Sequence, residues 1–257
     1  MISWASEGDG FAWVTLDRPE QRNALDWAML EAFHGVLDEL ERDRSIRVAG
    51  IRSALERVFV AGGDIAVMRD LELADGADFV YAGHRLLRRL EESRVVFVAA
   101  VGGFALGGGL ELSLACDLIL ASESATFGLP ETTIGLFPGW GGTQRLARSI
   151  GLHRAKELVY TGRRFPAAEG YRLGFVNRVV PDGELEGAVG EVAREILAAS
   201  PSAVQRAKVA LTQGSRVPLD QGLAIEAEAW LANLASPNRR EGLSAFLEKR
   251  EPRFTTD

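Results

Sequence analysis

The chain has one cysteine, three histidines and no excess of basic residues, and each shortage removes a class of chemistry. A lone Cys116 cannot form an internal disulfide, and His34, His84 and His153 are scattered, so no Cys/His set has metal-site spacing. Metal catalysis is not expected. There is no Gly-x-Ser-x-Gly elbow, which argues against a Ser/His hydrolase; the histidines fall in helical stretches and read as satisfied or solvent-facing. No apolar run reaches the roughly 18 residues that a membrane helix needs, and the start, MISWASEGDG, has neither the basic segment nor the apolar stretch of a secretory signal. A cytoplasmic protein with no membrane partner is therefore expected. The formal charge of -7 disfavours nucleic acid as a partner, although Arg163-Arg164 and Arg239-Arg240 could still hold one phosphate group.

What remains is an ordinary globular composition, 47% hydrophobic and 25% charged over 257 residues, enough for a sizeable core. FAWVTL (11–16), IRVAGIR (46–52), VVFVAAV (95–101) and LILA (118–121) are short, apolar and rich in β-branched residues, as strands are. Residues 26–43 begin at a candidate cap, Asp26, and repeat apolar positions at Leu30, Phe33, Val36, Leu37 and Leu40; residues 78–91 are similarly amphipathic. Strands and helices thus alternate, which predicts an α/β fold. From Gly183 the strand signal stops, and helices are predicted near 184–199, 202–213, 219–235 and 239–250. The economical division is a core of residues 1–199 carrying the site and a helical region of residues 200–257.

The window from Gly102 to Arg145 is almost uncharged yet holds Glu111 and Glu131, each following a turn, in ALGGGLEL and FGLPE. Paired carboxylates in apolar surroundings suit acid/base chemistry. Glycines in FVAGGDI (59–65) and at 107–109 let the backbone approach a ligand closely. The first amides of a helix lack intrahelical partners, so Gly108 could aim an N–H at a developing oxyanion, with Gly63 as a second donor. The competing reading is structural: tight turns at the glycines, and helix-start acids at Glu111 and Glu131 that offset a dipole. Cys116 reads as a small buried hydrophobe.

The order and spacing of these segments resemble one family almost end to end: Arg18-Pro19 through Asn23-Ala24-Leu25, Phe59 to Ile65, ALGGGLEL, Cys116-Asp117, FGLPE, PGWGGTQRL (138–146) and EGLSAFLEKREPRF (241–254). The chain is similar to the crotonase, or enoyl-CoA hydratase/isomerase, superfamily. The resemblance implies a ClpP/crotonase-like spiral of ββα units followed by a C-terminal helical trimerisation region, in a homotrimer or a homohexamer built as a dimer of trimers. It implies a lyase that adds water reversibly and syn to a 2-trans-enoyl-CoA, in fatty-acid β-oxidation or related catabolism, with no cofactor because the CoA thioester is the substrate.

In that pattern Glu111 activates water, Glu131 protonates the α-carbon, and the amides of Gly63 and Gly108 form the oxyanion hole. Ala24, Ala61, Asp64, Ile65, Gly139, Trp140, Trp230 and Lys249 fall where relatives meet the substrate. Three residues depart from the usual pattern: Trp140 where many relatives are small, Gly63 where hydratases often carry Ala, and Trp230 where a Phe is common, a place equally open to a core residue of its helix. The alternatives are an enoyl-CoA isomerase, which needs only one carboxylate, and a non-catalytic RNA-binding relative, for which the acidic balance is unfavourable.

Overall fold

Short buried strands alternating with amphipathic helices make the chain wind, in the computed structural model, as a spiral in which, after a first hairpin, each turn adds one strand to each of two sheets; residues 1–255 are described. Strand β1 (Ile2–Gly8) pairs antiparallel with β2 (Phe11–Leu16), and helix α1 (Trp27–Arg42) follows. Asp26 caps α1 by accepting from Met29 N at 2.9 Å, and the predicted stripe of Leu30, Phe33, Val36, Leu37 and Leu40 is buried. The next turns are β3 (Val48–Ser53), β4 (Val58–Val60), α2 (Ile65–Arg69) and α3 (Leu73–Glu92); then β5 (Val96–Val101), β6 (Phe104–Leu106) and α4 (Gly108–Ala115); then β7 (Leu118–Ser122) and β8 (Thr126–Gly128).

The first strands of the turns, β3, β5 and β7, lie side by side and parallel in a six-stranded sheet; the second strands, β4, β6 and β8, do the same in a four-stranded sheet. This is the expected spiral of ββα units. Helices α5 (Gly142–Ile150) and α6 (Leu152–Thr161), strand β9 (Phe165–Pro166), helix α7 (Ala167–Leu173) and strand β10 (Arg178–Val180) complete it, β9 and β10 extending the small and large sheets. Helix α8 (Leu185–Ala198) covers the outer face of the large sheet, packing Leu185, Val189, Val192 and Ala193 on Phe11, Trp13, Val48, Val98 and Leu120. Both faces of the central strands are therefore buried, which is why they read as continuous apolar runs.

Helices α9 (Pro201–Gly214), α10 (Leu219–Leu234) and α11 (Pro237–Glu248) follow close to their predicted positions. Helix α9 is pinned to the spiral by Lys208, whose Nζ donates to Leu90 O, Val95 O and Asp117 Oδ2, the last at 2.8 Å. Helices α10 and α11 pack on α9 and leave Trp230, Leu231, Phe246 and Leu247 exposed. Among the described residues no helix is long and apolar enough to cross a membrane.

Candidate active site

The backbone of residues 61–64 is turned outward by a single rung of parallel pairing. Leu25 N donates to Gly62 O at 2.8 Å and Asp64 N donates to Leu25 O at 2.9 Å, so Gly63, between them, faces the other way with its own N–H. That amide has no backbone acceptor among the described residues. The rung depends on the loop before α1. Asn23 is fully buried in a left-handed conformation (φ 57°), accepts from Arg18 N at 2.8 Å and donates to Ser53 Oγ and Phe59 O. Arg18 donates to Ala24 O at 2.8 Å and pairs with Asp26 at 2.8 Å. Arg18 and Asn23 thus brace the Gly63 turn, a role their place in the motif did not disclose.

The second amide comes from the start of α4. Gly107 takes φ 51° and ψ -121°, a conformation for which a side chain is unsuited, and donates to Gly128 O. Gly108 is then the first helical residue, and its N–H has no partner four residues back. A Cβ built on Gly108 would lie 3.3 Å from Gly63 N, so the two glycines stand beside each other with their amides unspent. They can serve as paired donors to one oxygen.

Helix α4 is apolar all round, and Glu111 is its sole ionisable residue. At 2% exposure Glu111 is no surface acid offsetting a dipole. Its Oε1 accepts from Trp140 N at 2.8 Å, in the turn before α5, and from Gly142 N at 2.7 Å, the first residue of that helix. Burial raises its pKa, while these two amides and the Arg145 charge pull the other way and favour the carboxylate.

Glu131 follows β8 in a 3-10 turn, Pro130–Ile134, and its Oε2 is buried with no hydrogen-bond partner among the described residues. Burial pushes its pKa up to about 7, and the nearby Glu111 charge adds to the shift. Burial thus raises both carboxyls; at Glu111 it is opposed by two backbone donors and the Arg145 charge, and at Glu131 by its own backbone N–H alone.

The raised pKa predicts a stability effect. A folded-state pKa of about 7 against an ordinary 4.5 means that ionising Glu131 costs folding free energy as pH rises between those values, and below 4.5 nothing is lost. Glu131→Gln is therefore expected to be more stable than the parent above pH 7 by about 1–3 kcal/mol, the difference vanishing near pH 4. Paired urea melts at pH 4 and pH 8 read it; equal stability at pH 8 contradicts the assignment.

The remaining expected residues divide. Trp140 is buried, donates from Nε1 to Phe79 O at 3.3 Å, and lies so flat against α3 that a Cβ on Gly83 would fall 2.3 Å from its indole. The same ring is 3.0 Å from a Cβ on Gly108 and 3.9 Å from one on Gly63, so Trp140 backs both amides. Gly139 presents its carbonyl to His84 Nε2 at 2.7 Å, while the amides that hold Glu111 come from Trp140 and Gly142. Ala24 and Ala61 are half-buried beside the Gly63 rung, and Ile65 is exposed.

Asp64 spends its side chain capping α2, accepting from Ala66 N at 3.0 Å. Trp230 is 63% exposed, which overturns its reading as a core residue: α10 buries only Ala229. Lys249 is exposed at the left-handed end of α11. Both sit on helices packed against α9, and the single chain does not gather them with the glutamates. Cys116 is partly buried, with a thiol pushed up by desolvation and the Asp117 charge, which disfavours the thiolate that a nucleophile needs.

Two adjacent amides without backbone acceptors, and two carboxyls close enough for the charge of one to raise the pKa of the other, can serve proton transfer next to a carbonyl that becomes an oxyanion. The chain belongs to the enoyl-CoA hydratase/isomerase family, whose model matches residues 6–257. It is 39% identical over 238 residues to the short-chain-enoyl-CoA hydratase of Clostridium acetobutylicum, covering 93% of this chain and 91% of that protein. It is 38% identical to the crotonyl-CoA hydratase of Syntrophomonas wolfei, covering 93% and 92%. The crystal structure of enoyl-CoA hydratase from Bacillus anthracis superposes with a TM-score of 0.95 at 39% identity, covering 100% of this chain and 99% of that one.

Proposed function

We propose that the protein is an enoyl-CoA hydratase, a lyase that adds water reversibly to a 2-trans-enoyl-CoA to give the 3-hydroxyacyl-CoA. The observation that carries this reading is the pair of carboxyls: Glu111 buried and held by the Trp140 and Gly142 N–H groups, Glu131 with a buried, unpartnered Oε2 and a pKa pushed up to about 7. The thioester oxygen accepts from Gly63 and Gly108. Glu111 takes a proton from water as its oxygen bonds to C3, the electron pair of the double bond moves toward the thioester, and Glu131 gives a proton to C2. Charge that builds on the thioester oxygen is met by amides already in place, so little reorganisation is needed. One H and one OH are added, and the two carboxyls return to their starting states by proton exchange with solvent. No metal or redox cofactor has a part in this scheme.

An isomerase moves one proton between carbons and needs no bound water, so a second positioned carboxyl favours hydration. Degradation of fatty acids or related acyl-CoA esters is the pathway context, and a cytoplasmic location accompanies it. Exposed Leu223, Trp230, Leu231, Phe246 and Leu247 on α10 and α11 support a homotrimer or homohexamer in which these faces are covered. In such an assembly Trp230 and Lys249 would meet CoA bound mainly by a neighbouring copy, and α9 to α11 form the oligomerisation region, residues 200–257, whose last two lie outside the described residues.

The test is loss of the conjugated thioester absorbance on adding protein to crotonyl-CoA and to an eight-carbon enoyl-CoA. Absence of hydration with both refutes the reading. Trp140, packed between Gly83, Gly63 and Gly108, leaves little room behind the amides, so short acyl chains are favoured. Trp140→Leu is expected to raise the eight-carbon to four-carbon ratio of kcat/KM about tenfold, the scale on which apolar pockets discriminate. An unchanged ratio removes Trp140 from the acyl pocket.

A further inference from the structure

The turn that holds Glu111 is not held by Glu111 alone. Its conformation is strained toward glycine at Gly141 (φ 105°), and the Arg145 guanidinium lies so close that a Cβ there would be 2.2 Å from Nη1. Arg145 Nη1 donates to Trp140 O at 2.9 Å. The peptide whose carbonyl Arg145 grips follows the very amide that Trp140 gives to Glu111 Oε1. One face of this short turn therefore faces the carboxylate and the other faces a cation.

Arg145 is itself clamped. Its Nε and Nη2 donate to Glu91 Oε1 and Oε2 of α3 at 2.7 and 3.0 Å, a two-point pairing that fixes the plane of the guanidinium. Both side chains are largely shielded, at 18% exposure each, so this pair is screened less than a surface one. Glu91 Oε2 also accepts from Arg216 Nη2 at 2.6 Å, just beyond the end of α9. The Glu111 turn is thus tied to α3 and to the connection between α9 and α10 through one shared carboxylate.

We propose that Arg145 is a positioning residue for the general base: by gripping Trp140 O while anchored on Glu91, it holds the Trp140 and Gly142 amides on Glu111 and keeps that carboxyl aimed. The inference rests on the hydratase reading for its kinetic readout. The charged groups that face Glu111 are Glu131 from the 3-10 turn and Arg145 from α5, of opposite effect. Losing Arg145 removes the favourable one and loosens two donors, so the Glu111 pKa rises and the acid limb of kcat moves to higher pH.

The experiment compares the parent, Arg145→Met, Arg145→Lys and Glu91→Gln with crotonyl-CoA across pH 5–9. The Met variant is expected to lose kcat by about 10–100-fold with KM within about threefold, and its acid limb to move up by at least about half a pH unit. Lysine restores the charge but not the two-point pairing, so partial rescue is expected. Glu91→Gln leaves Arg145 in place but unclamped, and should lose kcat by about 3–10-fold in the same direction; it carries the test if the Met variant does not fold. A folded Met variant with parental kcat and acid limb, a defect confined to KM, or an unaffected Glu91→Gln overturns the proposal. No hydration by the parent refutes the hydratase reading instead, and the proposal is then read from the Glu111 carboxyl itself: isotope-edited infrared titration should still find its pKa raised in Arg145→Met, and an unmoved titration overturns it.

Discussion

Glu111→Gln and Glu131→Gln are each expected to cut crotonyl-CoA hydration by at least about 10²-fold while leaving KM nearly unchanged, the scale on which loss of a positioned acid or base is felt. The two fail for different reasons. A glutamine at 111 keeps an oxygen able to accept from Trp140 N and Gly142 N, so the turn survives, but an amide cannot take a proton from water. A glutamine at 131 fills the same buried space and relieves an unpartnered carboxyl oxygen, yet has no acidic proton to give C2. Stability and activity should therefore part company at 131, the inactive variant being the sturdier one near neutral pH. Steady-state rates with both variants decide it. Hydration within about fivefold of the parent in either one refutes the paired mechanism, and loss in only one points to isomerase-like chemistry.

The long elements were legible because burial on both faces or along one stripe leaves a strong pattern. FAWVTL became β2 to the residue, Asp26 caps α1, and the strand predicted at 46–52 forms from Val48 to Ser53. The strands that the sequence hid are those with too little length for a period to register: β6, β8 and β10 have three residues each. Strand β1 was hidden differently. It is an edge strand, half-exposed, and ISWASEG lacks the apolar alternation of a buried one.

At the site, chemical type was readable and support was not. Two glutamates in an uncharged window stand out, as do glycines before a helix, because a charge or a missing side chain is conspicuous there. The groups that aim them, Arg18, Asn23, Arg145 and Glu91, look like any surface residues in a linear string. Their meaning lies in partners 54 residues away, as between Arg145 and Glu91, or 36, as between Asn23 and Phe59. Trp140 shows the same limit: its bulk was visible, but the Gly83 that receives it on α3 was not an evident partner. Trp230 read equally well as core or contact because helical periodicity reports an apolar face without saying whether the chain itself or another covers it.

Gly108→Val is expected to abolish most turnover, by about 10³-fold or more, while the protein still folds; Gly108→Ala should lose about 10²-fold, the cost of disabling one oxyanion donor. The first added atom is enough to explain the alanine effect. It would stand 3.0 Å from the Trp140 ring and 3.3 Å from Gly63 N, tighter than ordinary contact, so that the ring or one of the two paired amides must shift. Valine adds two methyls to the same place and forces the indole or the ligand to yield. Backbone strain does not confuse the result at this position, because Gly108 is an ordinary helical residue and the left-handed angle belongs to Gly107. Gly35→Ala on α1, with nothing within 4 Å of the new methyl, is the control and should keep the parental rate. Circular dichroism and a cooperative melt establish folding, and single-turnover hydration reads the chemical step. A folded Gly108→Val protein with unchanged kcat would move the oxyanion hole away from the start of α4, and with it the reason for the glycines there.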